Sequence, residues 1–301
     1  KEVSSSENIR NRQKMMIQSA IPTSLSLNIG GRLLSLDHPR VMGILNATPD
    51  SFYAGSRCGN DETIIANRAR AIIEEGGDMI DVGAYSSRPD ATDIPLEEEW
   101  QRLDRALSVI RGLYPDAILS VDTFRAEIAR RSVERHGVQI INDISGGELD
   151  KTMFETVASL HVPYILMHMR GTPQTMQQQT HYDNLMAEIT GYFARRVDRL
   201  HQLGVSDIIL DPGFGFSKTL DDNYLLMHRL HELQPLGLPI LTGISRKSMI
   251  YKLLGSSPEE SLTGTTVLNT IALMGGTHIL RVHDVREAVE TVKIVTKTLS
   301  A

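Results

Sequence analysis

Short aliphatic runs alternating with longer amphipathic segments predict an α/β fold, specifically a (β/α)8 TIM barrel with an N-terminal β-hairpin cap. Three observations carry the prediction. Eight β-branched or aliphatic runs follow residue 41, each ahead of a segment with helical spacing; glycines fall where those segments have to stop; most runs end in a polar or charged residue. A doubly wound open sheet is the competing architecture, but it collects its ligand contacts at one switch point rather than around a whole rim.

The elements can be justified in order. Residues 1–20, rich in Ser, Asn, Gln and charge, read as a flexible N-terminal arm, and residues 21–301 as one domain. Ser24 to Leu36 alternates apolar and polar residues around Gly30-Gly31, the pattern of a hairpin. The strand candidates are Val41 to Asn46, Met79 to Ala84, Ala117 to Thr123, Gln139 to Ser145, Pro163 to Met169, Ile208 to Gly213, Pro239 to Ser245 and Thr277 to Asp284. Helices are read over Asp61 to Glu75, Leu96 to Leu113, Arg125 to Arg135, Lys151 to Leu160, Tyr182 to Leu203, Leu220 to Leu233, Glu259 to Met274 and Val285 to Leu299. Gly76-Gly77, Gly137, Gly204, Gly237 and Gly275-Gly276 punctuate them.

Composition narrows the class. The 301 residues are 41% hydrophobic and 23% charged, which excludes a disordered, collagenous or coiled-coil chain. Cys58 is the one cysteine, so no intrachain disulfide and no Cys-rich zinc or iron–sulfur site can form, and a reducing compartment is favoured. A formal charge of -6 calls for no nucleic-acid or membrane partner. No run reaches the roughly 18 apolar residues of a membrane span, and the expectation is a cytoplasmic protein.

In such barrels the chemistry sits at the C-terminal edges of the strands. Those edges carry Asn46, Ser86-Ser87-Arg88, Asp122, Asn142-Asp143, His168, Asp211, Ser245-Arg246-Lys247 and Arg281-Val282-His283-Asp284. Any single polar residue there can simply be meeting solvent; as a set, several flank strongly apolar strands where a buried charge needs a partner. Arg88, Arg246, Lys247, Arg281 and His283 gather positive charge on an acidic protein, which suits an anionic substrate. Arg281 and His283 lie two apart on the last strand and point the same way, and Asn46 on the first strand closes beside them. Asp122 and Asp211 would grip a flat heterocycle through adjacent ring and amino N–H groups, or would pair with Lys247 or Arg281 as core ion pairs; the two readings are compatible.

In Asp211-Pro212-Gly213-Phe214-Gly215-Phe216 two glycines let a loop turn tightly beside a ligand, with aromatics to stack on it. Ser248 stands where a helix follows a strand, a place to meet an anion. Lys247 has the chemistry to form a Schiff base, to stack, or to donate a hydrogen bond, and its position alone favours none of them. His168 reads equally as a structural or a reacting group, and its neighbour Met167 could cover an aromatic face. No His-Glu-x-x-His element occurs, so the metal expected is Mg2+ brought by a diphosphate and held by Asn46 and water.

Seven ordered blocks extend these readings. They are Gly43 to Phe52, Ser120-Val121-Asp122-Thr123, Ile141-Asn142-Asp143-Ile144, Leu166-Met167-His168-Met169, Leu210 to Phe216, Ser245-Arg246-Lys247-Ser248 and Arg281-Val282-His283-Asp284-Val285. Together they resemble the dihydropteroate synthase family. The resemblance implies a pterin-binding barrel in which 4-aminobenzoate displaces diphosphate from 6-hydroxymethyl-7,8-dihydropterin diphosphate, giving 7,8-dihydropteroate for folate synthesis. It implies that Asp122, Asn142, Asp211 and Lys247 hold the pterin, with Met167 and Gly243 lining its slot. Asn46, Arg88, Arg281 and His283 match the diphosphate positions, Asn46 also the Mg2+ position. Ser87, Pro89, Phe216, Lys247 and Ser248 match those near aminobenzoate, the target of sulfonamides, and Thr48, Pro49, Asp50, Ser51 and Phe52 match a mobile loop.

The chemistry expected is a dissociative, SN1-like displacement, since losing diphosphate leaves positive charge in the ring that nearby carboxylates stabilise. The second loop departs from the family pattern: Tyr85 stands where an acid is usual, Ser87 where Thr is, and Asp90 where Gly is. A homodimer is implied, with Val267 to Met274 as a possible contributor. Two other functions fit the same fold, a pterin-dependent corrinoid methyltransferase and an inactive binding module. The first needs no diphosphate pocket, and the second needs no intact set of Asp122, Asn142, Asp211, Lys247 and Arg281.

Overall fold

The computed structural model describes residues 25–48, 61–86 and 93–301. The chain opens with an antiparallel hairpin, β1 (Ser26–Ile29) and β2 (Arg32–Ser35). Its two-residue turn sets Gly30 at φ 58° and Gly31 at φ 87°, the doubly left-handed geometry in which the twist of the turn matches that of the strands. Eight parallel strands follow: β3 (Arg40–Asn46), β4 (Met79–Gly83), β5 (Ile118–Asp122), β6 (Ile140–Asp143), β7 (Tyr164–Met167), β8 (Ile208–Asp211), β9 (Leu241–Thr242) and β10 (Ile279–Val282). Their hydrogen-bonded order is β8-β7-β6-β5-β4-β3-β10-β9, and a bridge between Leu210 and Ile240 joins the two ends. The TIM barrel and its N-terminal hairpin are as the strand rhythm predicts.

Helices α1 (Glu62–Glu74), α2 (Leu96–Leu113), α3 (Ala126–His136), α4 (Met153–Leu160), α5 (Leu185–Gln202), α6 (Leu220–His228), α7 (Ser248–Leu254), α8 (Leu262–Met274) and α9 (Val285–Leu299) follow the strands. Asp61 caps α1 by accepting from the amides of Thr63 and Ile64, and Thr219 and Asp222 form a capping box at α6. The helices bury one face against the outside of the barrel. Among the described residues, no helix is long and apolar enough to cross a membrane.

The barrel's lower end is filled by side chains. Met42, Met79, Ile140, Ile165, Ile209, Leu241 and Ile279 form an apolar layer against which Leu27, Ile29 and Leu36 of the hairpin region pack. Burying Leu27 and Leu36 is worth about 1.5–3 kcal/mol each. The hairpin therefore closes this end, and the polar rim is left at the other.

Several boundaries differ from the sequence reading. The run from Pro239 to Ser245 pairs as a strand only over Leu241–Thr242. Pro239 has no amide hydrogen to give the ladder, and by Arg246 the backbone has turned to φ 55°. The segment read as one helix from Leu220 to Leu233 ends at His228 and continues as a 3-10 turn over Leu230–Leu236, which contains Pro235. The helix read from Tyr182 begins at Leu185, where Asn184 caps it, and the one read from Glu259 begins at Leu262. The helix opening at Ser248 has only seven residues, because Gly255 stops it.

Candidate active site

A cavity of about 420 Å³ opens at the C-terminal edge of the strands. It collects residues predicted from distant parts of the chain: Asn46, Thr48, Asp122, Asn142, Met167, Asp211, Phe216, Gly243, Lys247, Ser248, Arg281 and His283 all line it. Ser87, Arg88 and Pro89, together with Pro49, Asp50, Ser51 and Phe52, lie outside the described residues, as does Cys58.

One side of the cavity is acidic. Asp122 ends β5, Asn142 lies in β6 and Asp211 ends β8, so parallel pairing sets the three along one wall. Burial raises the Asp211 carboxyl above its ordinary range, opposed by the Lys247 ammonium and by the Gly213 amide, which donates to Oδ1 at 2.8 Å. Burial also raises Asp122; Arg281 opposes it, and Asp81 and Asp143 reinforce it. Ile144, Met167, Met169 and Met176 pack as a small apolar cluster with Phe124 and Phe216. Of these, Ile144, Met167, Met176 and Phe216 line the cavity, giving a flat ligand apolar faces beside polar edges.

The aromatic loop after β8 is held in shape from behind. At Gly213 the backbone has φ 71°, and a Cβ there would sit 2.1 Å from the carbonyl oxygen of His168, so only glycine fits. Lys218, which is buried, donates through Nζ to the carbonyls of Gly213 at 3.0 Å and Phe216 at 3.1 Å and to Nδ1 of His168 at 3.1 Å. His168 is thus a support for that loop and does not line the cavity. Lys247 Nζ donates to the Phe214 carbonyl at 2.5 Å and lies 4.5 Å from the Phe216 ring centroid. Burial lowers its pKa to about 8, with Asp211 opposing.

The cationic group beside this acidic side belongs to β10. Arg281 donates through Nε to Asp81 at 2.6 Å and through Nη2 to Asp122 at 2.8 Å. Burial disfavours its charge, but Asp81 and Asp122 more than restore it. His283 lines the cavity next to Arg281, with Nδ1 and Oγ of Ser245 3.1 Å apart. Burial, then the charges of Arg281, Arg68, Arg246 and Lys247, pull its pKa down to about 3, so it enters the site as a neutral imidazole rather than as a cation.

Arg246 differs from its expected role. Its guanidinium donates two hydrogen bonds to the Asp284 carboxylate, from Nε to Oδ2 and from Nη2 to Oδ1, each at 2.8 Å, and donates from Nη1 to the carbonyls of Pro258 and Glu259. It fixes the turn before α7 instead of supplying a free charge. Asp143, also on the predicted rim, is buried and accepts from Ser145, Gly147 and the Tyr164 hydroxyl. The sequence reading missed Asp81, Lys218, Met176 and Gln177. The last two come from the 3-10 turn Met176–Gln178 and line the cavity.

Among the described residues no group of three or more His, Cys, Asp or Glu side chains is placed to hold a metal ion. The neutral amide of Asn46 in the cavity suits one contact to a metal whose other ligands are phosphate oxygens and water.

Acceptors gathered from β5, β6 and β8, apolar faces beside them, and the Arg281 guanidinium bonded to the Asp122 end of that set define a barrel enzyme for a flat, donor-edged heterocycle carrying an anionic group. Comparison with known proteins agrees with that class and narrows it. The Pterin binding enzyme family matches residues 42–283. Dihydropteroate synthase of Escherichia coli (strain K12) is 44% identical over 275 residues, covering 90% of this chain and 95% of that protein. The Synechocystis sp. enzyme of the same name is 42% identical over 259 residues, covering 84% and 88%. Among solved structures, the Yersinia pestis dihydropteroate synthase in complex with a sulfonamide drug superposes with a TM-score of 0.86 at 40% identity, covering 92% of this chain and 100% of that one. The Xanthomonas albilineans enzyme with 4-aminobenzoic acid gives 0.84 at 37%, covering 93% and 100%. This chain belongs to the dihydropteroate synthase family.

Proposed function

We propose that this protein condenses 4-aminobenzoate with 6-hydroxymethyl-7,8-dihydropterin diphosphate, releasing diphosphate and forming 7,8-dihydropteroate. The observation that carries the reading is the pairing, within one cavity, of the Asp122, Asn142 and Asp211 acceptors with the Arg281 donor. A pterin offers adjacent ring and amino N–H groups, the edge those acceptors would hold, while Lys247 would donate to the ring and Met167 and Gly243 would line its faces. Arg281 and His283, with Arg88, would meet the diphosphate.

The charge logic follows. Breaking the C–O bond sends its electron pair out with diphosphate and leaves a cation delocalised into the ring; buried carboxylates stabilise the cation and Arg281 the departing anion. The aminobenzoate nitrogen then attacks the methylene carbon and loses a proton. Phe216, Lys247 and Ser248, with Ser87 and Pro89, would place that nucleophile, and sulfonamides would compete there. Asn46 would hold Mg2+ through its amide oxygen, a charge that would offset the departing diphosphate. Thr48 to Phe52 would close over the leaving group. A homodimer would use the α8 face on which Val267, Ile271 and Met274 are exposed, and a single cysteine suits the cytoplasm.

Diphosphate release separates this reading from methyl transfer and from an inactive binder. With both substrates and Mg2+, one diphosphate should appear per dihydropteroate formed; a protein that binds the pterin diphosphate yet releases nothing would overturn the proposal.

A further inference from the structure

We propose that Asp81 is a positioning residue that sets the slot's preference for a ring edge of N–H donors, by holding the Asn142 amide in one orientation and tying back Arg281 through Nε. The inference rests on the pterin reading above and adds a residue that touches no substrate.

Asp81 sits in the middle of β4 and is fully buried. Strand alternation turns it into the barrel, one layer above the apolar floor that includes Met79. Its Oδ2 accepts from Nδ2 of Asn142 at 3.0 Å and from Nε of Arg281 at 2.6 Å. Its Oδ1 is buried and has no hydrogen-bond partner among the described residues. A buried carboxylate with one oxygen unsatisfied is costly, and an apolar side chain would extend the floor more cheaply, so stability alone does not account for it.

The geometry instead gives it a directing role. An ionised carboxylate only accepts, so Asn142 has to turn its NH2 group towards Asp81; a flipped amide would set oxygen against oxygen. That leaves Oδ1 as the acceptor Asn142 offers the cavity it lines, alongside the carboxylates of Asp122 and Asp211. With the carboxylates of Asp122 and Asp211 in the same cavity, that fixed acceptor favours a ring edge with an exocyclic amino group over the same ring without it. On the other side, tying Nε leaves the Nη edge of Arg281 to reach Asp122 or an anion.

Asp81→Asn tests the link. An amide there can donate to Asn142 and free it to turn. The probes are 6-hydroxymethylpterin and the same ring bearing a methyl group in place of the 2-amino group, with dissociation constants measured by calorimetry on the full chain. The wild-type protein should favour the amino compound by about a hundredfold or more, and Asp81→Asn should reduce that ratio to about tenfold or less. Should Asp81→Asn fail to fold, Asp81→Ser decides: a hydroxyl there can donate as well as accept, so it no longer dictates which way the Asn142 amide turns, and it should lose the preference as well. A folded variant of either kind that keeps the wild-type ratio overturns the proposal, including one in which both probes weaken together, as a general loosening would produce. A wild-type chain that binds neither probe overturns the pterin reading and this one with it; a wild-type chain that discriminates while the variants do so equally overturns this one alone.

Discussion

Arg281 and Asp122 stand 2.8 Å apart at the mouth of the barrel, Nη2 to Oδ2. The guanidinium and the edge of a pterin present the same chemistry to that carboxylate, two N–H donors on one carbon. A pterin taking Asp122 would release the Nη edge of Arg281 beside the diphosphate attached to the same ligand. Replacing Arg281 with Ala removes the donor proposed for the anion and leaves Asp122 without the guanidinium charge that opposes the effect of its burial. Diphosphate affinity measured by calorimetry should fall by about tenfold to a hundredfold, the worth of a charge-assisted hydrogen bond. Unchanged affinity would place the diphosphate elsewhere.

Lys218 should matter without touching substrate. Three acceptors converge on its ammonium, and burial lowers its pKa to about 7, so Lys218→Met strands two loop carbonyls and His168 Nδ1 in an apolar setting. The expected cost is about 1–3 kcal/mol in urea unfolding, together with a raised KM for the pterin substrate. A variant with wild-type stability and KM would show that the loop holds its shape unaided.

The pH dependence has a definite sign on each side. Lys247 donates as an ammonium, and with its pKa lowered to about 8, kcat/KM for the pterin substrate should fall as pH rises through that value. Asp122 accepts as a carboxylate, and because burial raises its pKa, activity should fall with decreasing pH well above the ordinary carboxylate range. Lys247→Met should abolish the alkaline limb. A profile flat from about pH 6 to pH 9 would contradict both assignments.

A dissociative displacement makes no covalent bond between enzyme and substrate. Treating a turning-over sample with borohydride should leave the mass of the Lys247 peptide unchanged. A pterin adduct on Lys247 would replace the mechanism with a covalent one.

Which parts were legible in the sequence follows from how local each signal is. The strands and helices could be read because each carries its own periodicity and stop, Gly137 at φ 59° after α3 being one case. Asp122, Asn142, Asp211 and Lys247 could be read because they end or follow apolar runs. The β9 boundaries could not, since the strand pairs only over Leu241–Thr242 and the left-handed turn at Arg246 falls on a residue whose side chain is held by Asp284, 38 residues away. The same pair turned an expected anion ligand into a fixed strut. Asp81 escaped notice because a single acid between Ile80 and Val82 looks like ordinary strand alternation; only closing the barrel brings Arg281, 200 residues on, to its carboxylate. Lys218 reads as a loop lysine until the loop folds back over it.

The most direct test is the crystal structure of the protein bound to 6-hydroxymethyl-7,8-dihydropterin diphosphate. The pterin ring should lie with its amino and ring N–H edge against Asp122, Asn142 and Asp211, and its phosphates against Arg281 and His283. A ring bound outside this cavity, or phosphates directed at the three acceptors, would contradict the account at its root.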